Sequence, residues 1–431
     1  MTMKRSDLTW VVVPASRMGL LGLWFLGQLL IIRTLPAAEV GAYAVCVAMI
    51  RVLSGFLGDT LDLAVLRKAP VLLAEDWPRG LDVIRAAFWI RTGVGGVLAL
   101  LGALAAPLLA RTYLGGAEHA GLAVLAAAGV LGDLLVRSAM GYFQAVGVFT
   151  RYLAVEATLQ LGRFTAVVVL AALGMLGVGA ALTVLLGAQA LAFVVGLALL
   201  PRDVRRPSFA AAADVMDVIH YGKWMIVALS LGVLYDNLDV LLLGSFRPET
   251  EVGIFAAGLA LARVPDFVEG CLVTVLHPRV VGWYRRGEFP SVFRRYLAYS
   301  LPLTALAFAA AMVLGGPLIG MLGHDKMGAL PAFRVLIGGS LVWLALGPLP
   351  TALVALERPR WNLLLCAAAL VGKLAAGALL IPTYGFMGAA WVFLGMRLLL
   401  TVLVITFARG VVATVAAPTV GDAVERAEAI P

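Results

Sequence analysis

Long apolar runs separated by short polar links occupy the chain from about residue 11 to residue 408. About 20 apolar residues are enough for a helix to cross a bilayer, and on that measure the pattern predicts twelve spans. Six lie at about 11–32, 41–65, 83–110, 119–142, 152–174 and 177–200, and six at about 220–244, 253–277, 296–322, 331–356, 361–382 and 386–408. The first run follows Lys4 and Arg5 as the apolar part of a cleavable signal would. It is longer than the roughly 7–15 residues of such a region, and its counterpart in the second set is internal, so it is read as a span.

The two sets repeat one another. Glu39-Val40-Gly41-Ala42-Tyr43-Ala44 returns 212 residues later as Glu251-Val252-Gly253-Ile254-Phe255-Ala256. The same spacing relates Arg51-Val52 to Arg263-Val264 and Arg67 to Arg279; Gly162-Arg163 matches Gly372-Lys373 at 210 residues and Gly179 matches Gly388 at 209. Each copy of the hexapeptide sits in the tight link between two spans. An even number of spans per unit brings both units into the membrane from one side, so the repeat is parallel, about an axis along the membrane normal. The expected fold is an all-α polytopic membrane protein of twelve transmembrane helices in two six-helix lobes. Its predicted parts are a lobe over 1–200, a linker over 201–217 containing Arg202, Arg205, Arg206 and Pro207, a second lobe over 218–410 and a tail over 411–431.

Composition agrees: 62% of residues are hydrophobic, 13% are charged, and the mean hydropathy is +0.99. Soluble domains carry about a quarter charged residues. The net charge of +8 does not indicate nucleic-acid binding, because the cations stand at the ends of apolar runs rather than on a soluble basic face. With both termini cytoplasmic, the inner links hold Lys4, Arg5, Arg67, Lys68, Arg79, Arg151, Arg202, Arg205, Arg206, Arg279, Arg285, Arg286, Arg294, Arg295, Arg358 and Arg360, and the outer ones only Arg33, Arg111, Arg247 and Lys326. That asymmetry follows the positive-inside rule and predicts both the linker and the tail to be cytoplasmic. Cys46, Cys271 and Cys366 lie in apolar segments and read as packing residues; His119, His220, His277 and His324 lack metal-ligand spacing. There is no phosphate-binding loop. No catalytic residue, metal or cofactor is expected.

Charges inside spans cost about 2.5–3.5 kcal/mol each at the helix centre and turn toward a bundle interior or a wet cavity. Arg51, Gly55, Asp59 and Asp62 recur at intervals of four, four and three and share one helical stripe; Arg263, Asp266 and Gly270 form its equivalent, and Asp236 and Asp239 stand one turn apart. These stripes predict a hydrated cleft between the lobes. Arg263 with Asp266, and Asp133 with Arg137, also have the spacing of pairs that neutralise each other along one helix. Arg17, Arg51, Arg163 and Lys373 have no acid three or four residues away. Arg17, Arg51, Arg263, Arg163 and Lys373 are therefore the candidate anion-binding cations, two pairs of them at matching repeat positions. Asp236, Asp239, Asp59 and Asp62 are candidates for binding a coupling proton or sodium ion. Pro348 and Pro350 beside Gly347 mark a bend or hinge in the tenth span, and Pro265 and Pro302 weaker ones.

The run Leu35-Pro36 to Gly41-Ala42-Tyr43-Ala44, then Tyr235-Asp236 to Asp239-Val240-Leu241-Leu242-Leu243-Gly244, then Val252-Gly253-Ile254-Phe255 and Val275-Leu276-His277-Pro278 resembles the bacterial oligosaccharide-lipid flippases of the polysaccharide exporter type. These belong to the multidrug/oligosaccharidyl-lipid/polysaccharide exporter superfamily. The resemblance implies a V-shaped pair of lobes in the inner membrane that open alternately to either face. It also implies a substrate, an oligosaccharide on a polyprenyl diphosphate, flipped to the periplasmic leaflet for surface polysaccharide assembly. Membrane lipids and a polysaccharide polymerase or chain-length machinery are the implied partners. Lipid II flippases, which usually carry two further C-terminal spans, and cation-coupled multidrug exporters are the alternatives within the same architecture.

Overall fold

The computed structural model describes residues 5–206, 212–286, 288–347 and 359–416, and among them the regular structure is entirely helical. Helix α1 (Arg5–Thr34) and helix α2 (Ala37–Glu75) are the first two spans, and α2 continues well beyond the predicted end at residue 65. The third span is divided at Ala105 into α3 (Trp77–Leu104) and α4 (Ala106–Tyr113), because Pro107 has no amide with which to continue the ladder. After a 3₁₀ turn at Ala117–His119 come α5 (Ala120–Ala145), α6 (Phe149–Ala172) and α7 (Val178–Leu199).

The second set opens with α8 (Ala212–Phe246), several residues ahead of its predicted start. The eighth span breaks at Arg263 into α9 (Glu249–Ala262) and α10 (Val264–Arg285), with Pro265 just beyond the break. Then follow α11 (Phe289–Gly320), which runs through Pro302, a second 3₁₀ turn at His324–Ala329, and α12 (Leu330–Ala345). The expected hinge at Pro348 and Pro350, the tail from residue 417 and residues 207–211 of the linker lie outside the described residues. Helix α13 (Pro359–Ala416) contains the last two spans, divided at Gly385, whose φ of 58° and ψ of −139° only glycine adopts readily.

Among the described residues nine helical stretches are long and apolar enough to cross a membrane, and the longest, Leu363–Thr406, is the pair divided at Gly385. This is a multi-pass membrane protein. Helices α1 to α7 pack among themselves, as do α8 to α13, and the two sets meet where α2 runs along α8 and α9. Arg79, Arg151, Arg202, Arg205, Arg294 and Arg295 lie at the ends of helices on one face, called the basic face below; the α1–α2 and α8–α9 links lie on the opposite face.

On that opposite face the duplicated hexapeptides touch each other. A Cβ on Gly41 would stand 2.0 Å from the Glu249 carbonyl oxygen, and one on Gly253 only 1.7 Å from that of Ala37. Neither approach admits a side chain, which is the physical reason both copies carry glycine there. The glutamates two residues earlier act within their own lobes. Glu39 accepts from the Val178 amide at 3.0 Å at the start of α7, and Glu251 accepts from the Phe386 amide at 3.2 Å, where the last span begins. A carboxylate at a helix start satisfies an orphan donor and the helix dipole together. Around this contact a single apolar core draws on both lobes, with Ile31, Tyr43, Leu243, Phe255 and Phe333 all buried. Nearer the basic face the apolar clusters stay within one lobe each, apart from Val215 at the start of α8.

Candidate functional site

Below the joint core the lobes enclose a cavity of about 570 Å³. Trp24, Phe25 and Gln28 of α1 and Arg51 of α2 face it from the first lobe. Tyr235, Asp236 and Asn237 of α8 face it from the second, with Arg263 at the α9–α10 break and Asp266 and Glu269 on α10. Trp343 and Arg397 complete the wall. Edge-to-face contacts of Trp24 and Phe25 with Phe267, at 5.7 and 5.8 Å between centroids, join α1 to α10 across one side.

The five predicted cations separate by what stands opposite each. Arg51 has no acid within ion-pair distance among the described residues; its guanidinium lies 5.0 Å from the centre of the Trp24 ring. Arg263 donates to the backbone carbonyl of Asp236 and likewise forms no ion pair there. These two matching repeat positions meet in one cavity. Arg17 does not reach it: its Nε is 3.5 Å from Glu156 and its guanidinium lies over Tyr152 at 5.4 Å. Arg163 is buried, with one Nη2 donating to the Tyr43 hydroxyl at 2.6 Å and to Gln28 Oε1 at 3.1 Å. Lys373 is fully buried, 2.7 Å from Asp239 Oδ2 and donating to the Tyr235 carbonyl at 2.7 Å. Arg17, Arg163 and Lys373 are thus behind or away from the cavity wall, because partners on neighbouring helices, invisible to a count along one helix, hold them.

The acids divide in the same way. Asp236 lines the cavity; Asp239 is held by Lys373. Asp62 accepts from Arg91 at 2.6 Å and stands 3.8 Å from Arg137. The Asp59 side chain lies outside the described residues. The i,i+4 pair Asp133–Arg137 forms at 2.9 Å. Arg263 and Asp266 do not pair, because the break at Arg263 takes it off the face of α10; Asp266 instead accepts from Arg397 at 3.0 Å. Arg397 was visible as a charge within an apolar span but has no partner along its own helix to mark it as part of a site, and it packs over Trp343 at 5.1 Å. Gln28, Asn237, Trp24 and Trp343 carried no sequence signal. Among the described residues no cluster of three or more potential metal ligands occurs.

Two lobes of helices related by an internal repeat, enclosing a central cavity sealed at one face, define a transporter fold of the multidrug and flippase kind. Similar solved structures are the inward-facing conformation of a multidrug resistance MATE family transporter of the MOP superfamily and the inward closed conformation of the lipid II flippase MurJ. The first has a TM-score of 0.76 at 13% identity, covering 92% of this chain and 95% of that one. The second has a TM-score of 0.74 at 10% identity, covering 93% and 87%. A curated relative, the "Probable low-salt glycan biosynthesis flippase Agl15" of Haloferax volcanii, is 23% identical over 199 residues, which are 45% of this chain and 42% of that protein. The chain therefore matches less than half the length of that relative. Residues 15–283 match the family model described as "Polysaccharide biosynthesis protein", and the chain belongs to that family.

Proposed function

We propose that the protein flips a lipid-linked oligosaccharide across a bacterial inner membrane, carrying its diphosphate past Arg51 and Arg263 while the polyprenyl tail stays in the bilayer beside the gap between lobes. The observation that carries this reading is the convergence of those two arginines on one cavity without an acid partner among the described residues. A diphosphate spreads negative charge over several oxygens, and a guanidinium offers each phosphate two parallel donors. In a partly dehydrated cavity that charge complementarity offsets the cost of holding cations at membrane depth. The glycan biosynthesis flippase relative and the family membership support the substrate class. Transport runs from the cytoplasmic to the outer leaflet with the basic face and both termini cytoplasmic, without covalent chemistry, and delivers substrate to a polysaccharide polymerase. Asp236, exposed to the same cavity, is the best placed of the candidate acids to couple transport to a proton or sodium ion.

Arg51→Ala and Arg263→Ala, each in protein shown to reach the membrane, are expected to cut surface polysaccharide about tenfold or more, since each removes a charge-assisted contact worth about 1.5–3 kcal/mol. Normal polysaccharide in both variants would overturn the reading. Asp236 and Glu269 facing the cavity favour a second one, export of an organic cation. That reading predicts lowered dye accumulation on expression, abolished by Asp236→Asn and unaffected by Arg51→Ala.

A further inference from the structure

Gln28 is the polar side chain at the closed end of the cavity. It stands on α1 one turn, about 6 Å, nearer the opposite face than Trp24. Around it the wall is small or apolar, with Ala44, Val47, Val240 and Ala256. Its amide is held from behind. The Tyr43 hydroxyl at 3.3 Å and Arg163 Nη2 at 3.1 Å both donate to Gln28 Oε1, and the same Nη2 donates to the Tyr43 oxygen at 2.6 Å. Two donors on the oxygen fix which end of the amide is which. The carbonyl is committed behind the wall, so Nε2 and its two N–H groups are left for the cavity. They have no hydrogen-bond partner among the described residues. Arg163 itself is 7% exposed and has no acid within ion-pair distance among them. Among the described residues the closed end therefore presents Gln28's donors, on a cluster whose guanidinium has no acid partner.

A group that offers donors and no acceptor discriminates by what it cannot satisfy: a buried hydroxyl set against it leaves one of its own preferences unmet, whereas an oxygen carrying no proton is matched. Resting on the flippase reading, the order of the wall also has a direction. The diphosphate stands at the level of Arg51 and Arg263, and the sugar attached to it is the part that reaches the closed end. We propose that Gln28, positioned by Arg163 and Tyr43, recognises a strong sp² acceptor oxygen on that first sugar, which a hexose with only hydroxyl and ether oxygens lacks: the carbonyl of an acetamido group or the carboxylate of a uronic acid. Gln28 is the contact residue; Arg163 and Tyr43 are positioning residues.

The test uses the purified full-length protein in lipid nanodiscs, titrated with four polyprenyl diphosphates: bare, or bearing a hexose, an N-acetylhexosamine or a hexuronate. The acetamido or the uronate lipid is expected to bind about tenfold tighter than the hexose lipid, and the tighter of the two identifies the acceptor. Gln28→Glu gives Arg163 a carboxylate partner while withdrawing the donors from the cavity. It should abolish the preference with thermal stability at or above wild type. Arg163→Lys should keep more of the preference than Arg163→Met, and Tyr43→Phe should lose part of it. Equal wild-type affinity for all three sugar lipids, or an unchanged preference in Gln28→Glu, overturns this proposal and leaves the flippase reading standing as long as the bare diphosphate binds. Binding of none of the four overturns both.

Discussion

Lys373 and Asp239 each have 1% of the side chain exposed and stand 2.7 Å apart on α13 and α8. At such burial the pair offsets its own desolvation only while both members are present, and removing one leaves an unpaired charge at a cost of about 3–5 kcal/mol. Lys373→Met is therefore expected to lower the thermal unfolding midpoint of the detergent-solubilised protein markedly, and adding Asp239→Leu should recover most of the loss. A double variant no more stable than the single one would show that the pair does not hold α13 to α8. At the matching repeat position Arg163 meets a glutamine and a tyrosine instead of an acid. The two lobes thus differ in packing at corresponding positions: a neutral pair in one and a charged donor cluster in the other. The repeat marked both Arg163 with Lys373 and Arg51 with Arg263 as candidate cavity cations, and only Arg51 and Arg263 line the cavity. The engagement of Arg17, Arg163 and Lys373 was not legible, because each is held by a residue on another helix.

At the scale of elements, the duplicated hexapeptides, which the structure places in the first turns of α2 and α9 and not in the links before them, are where the lobes meet most closely. Gly41 and Gly253 allow α2 and α9 to touch backbone to backbone, so a methyl group there is met by a carbonyl oxygen that has nowhere to move. Gly253→Ala is expected to weaken the closed contact by about 1–3 kcal/mol and shift the lobes toward opening at that face. In a background without native cysteines, Ala48→Cys in the cavity wall would then react faster with an impermeant thiol reagent added from the opposite face. An unchanged rate would mean the contact is not the seal. Glu39 and Glu251 tie the first turns of α2 and α9 to the sixth span of their own lobes. The periodicity of the chain gave the order of these elements, while α2 and α8 run beyond their predicted ends and two predicted spans are divided near Pro107 and Pro265.

For the whole molecule, a joint apolar core lies at one face and separate clusters at the other, which on the flippase reading is one end of an alternating cycle. Ligand binding can shift such an equilibrium only through contacts that differ between its states, and the proposed reading has Arg51 and Arg263, one on each lobe, gaining from closure around a shared anion. Spin labels at Arg202→Cys and Arg294→Cys, exposed on the basic face of the first and second lobes, are expected to move closer when a polyprenyl diphosphate glycan is added. A distance distribution unaffected by the lipid would count against closure around substrate.

Hydrophobic periodicity, the internal repeat and the distribution of cations were sufficient to give the membrane class, the span order and the two-lobed arrangement, since each depends on transfer of segments into lipid and on local geometry. The same repeat marked Arg51 with Arg263 and Arg163 with Lys373 alike, and only the first pair faces the cavity. Which of the buried charges remain available for a ligand was settled only by tertiary packing. Ion pairs and hydrogen bonds act over a few ångströms between helices far apart in the chain, so Glu156 could claim Arg17, Asp239 could claim Lys373, and Tyr43 with Arg163 could fix Gln28, none of which a spacing along one helix records.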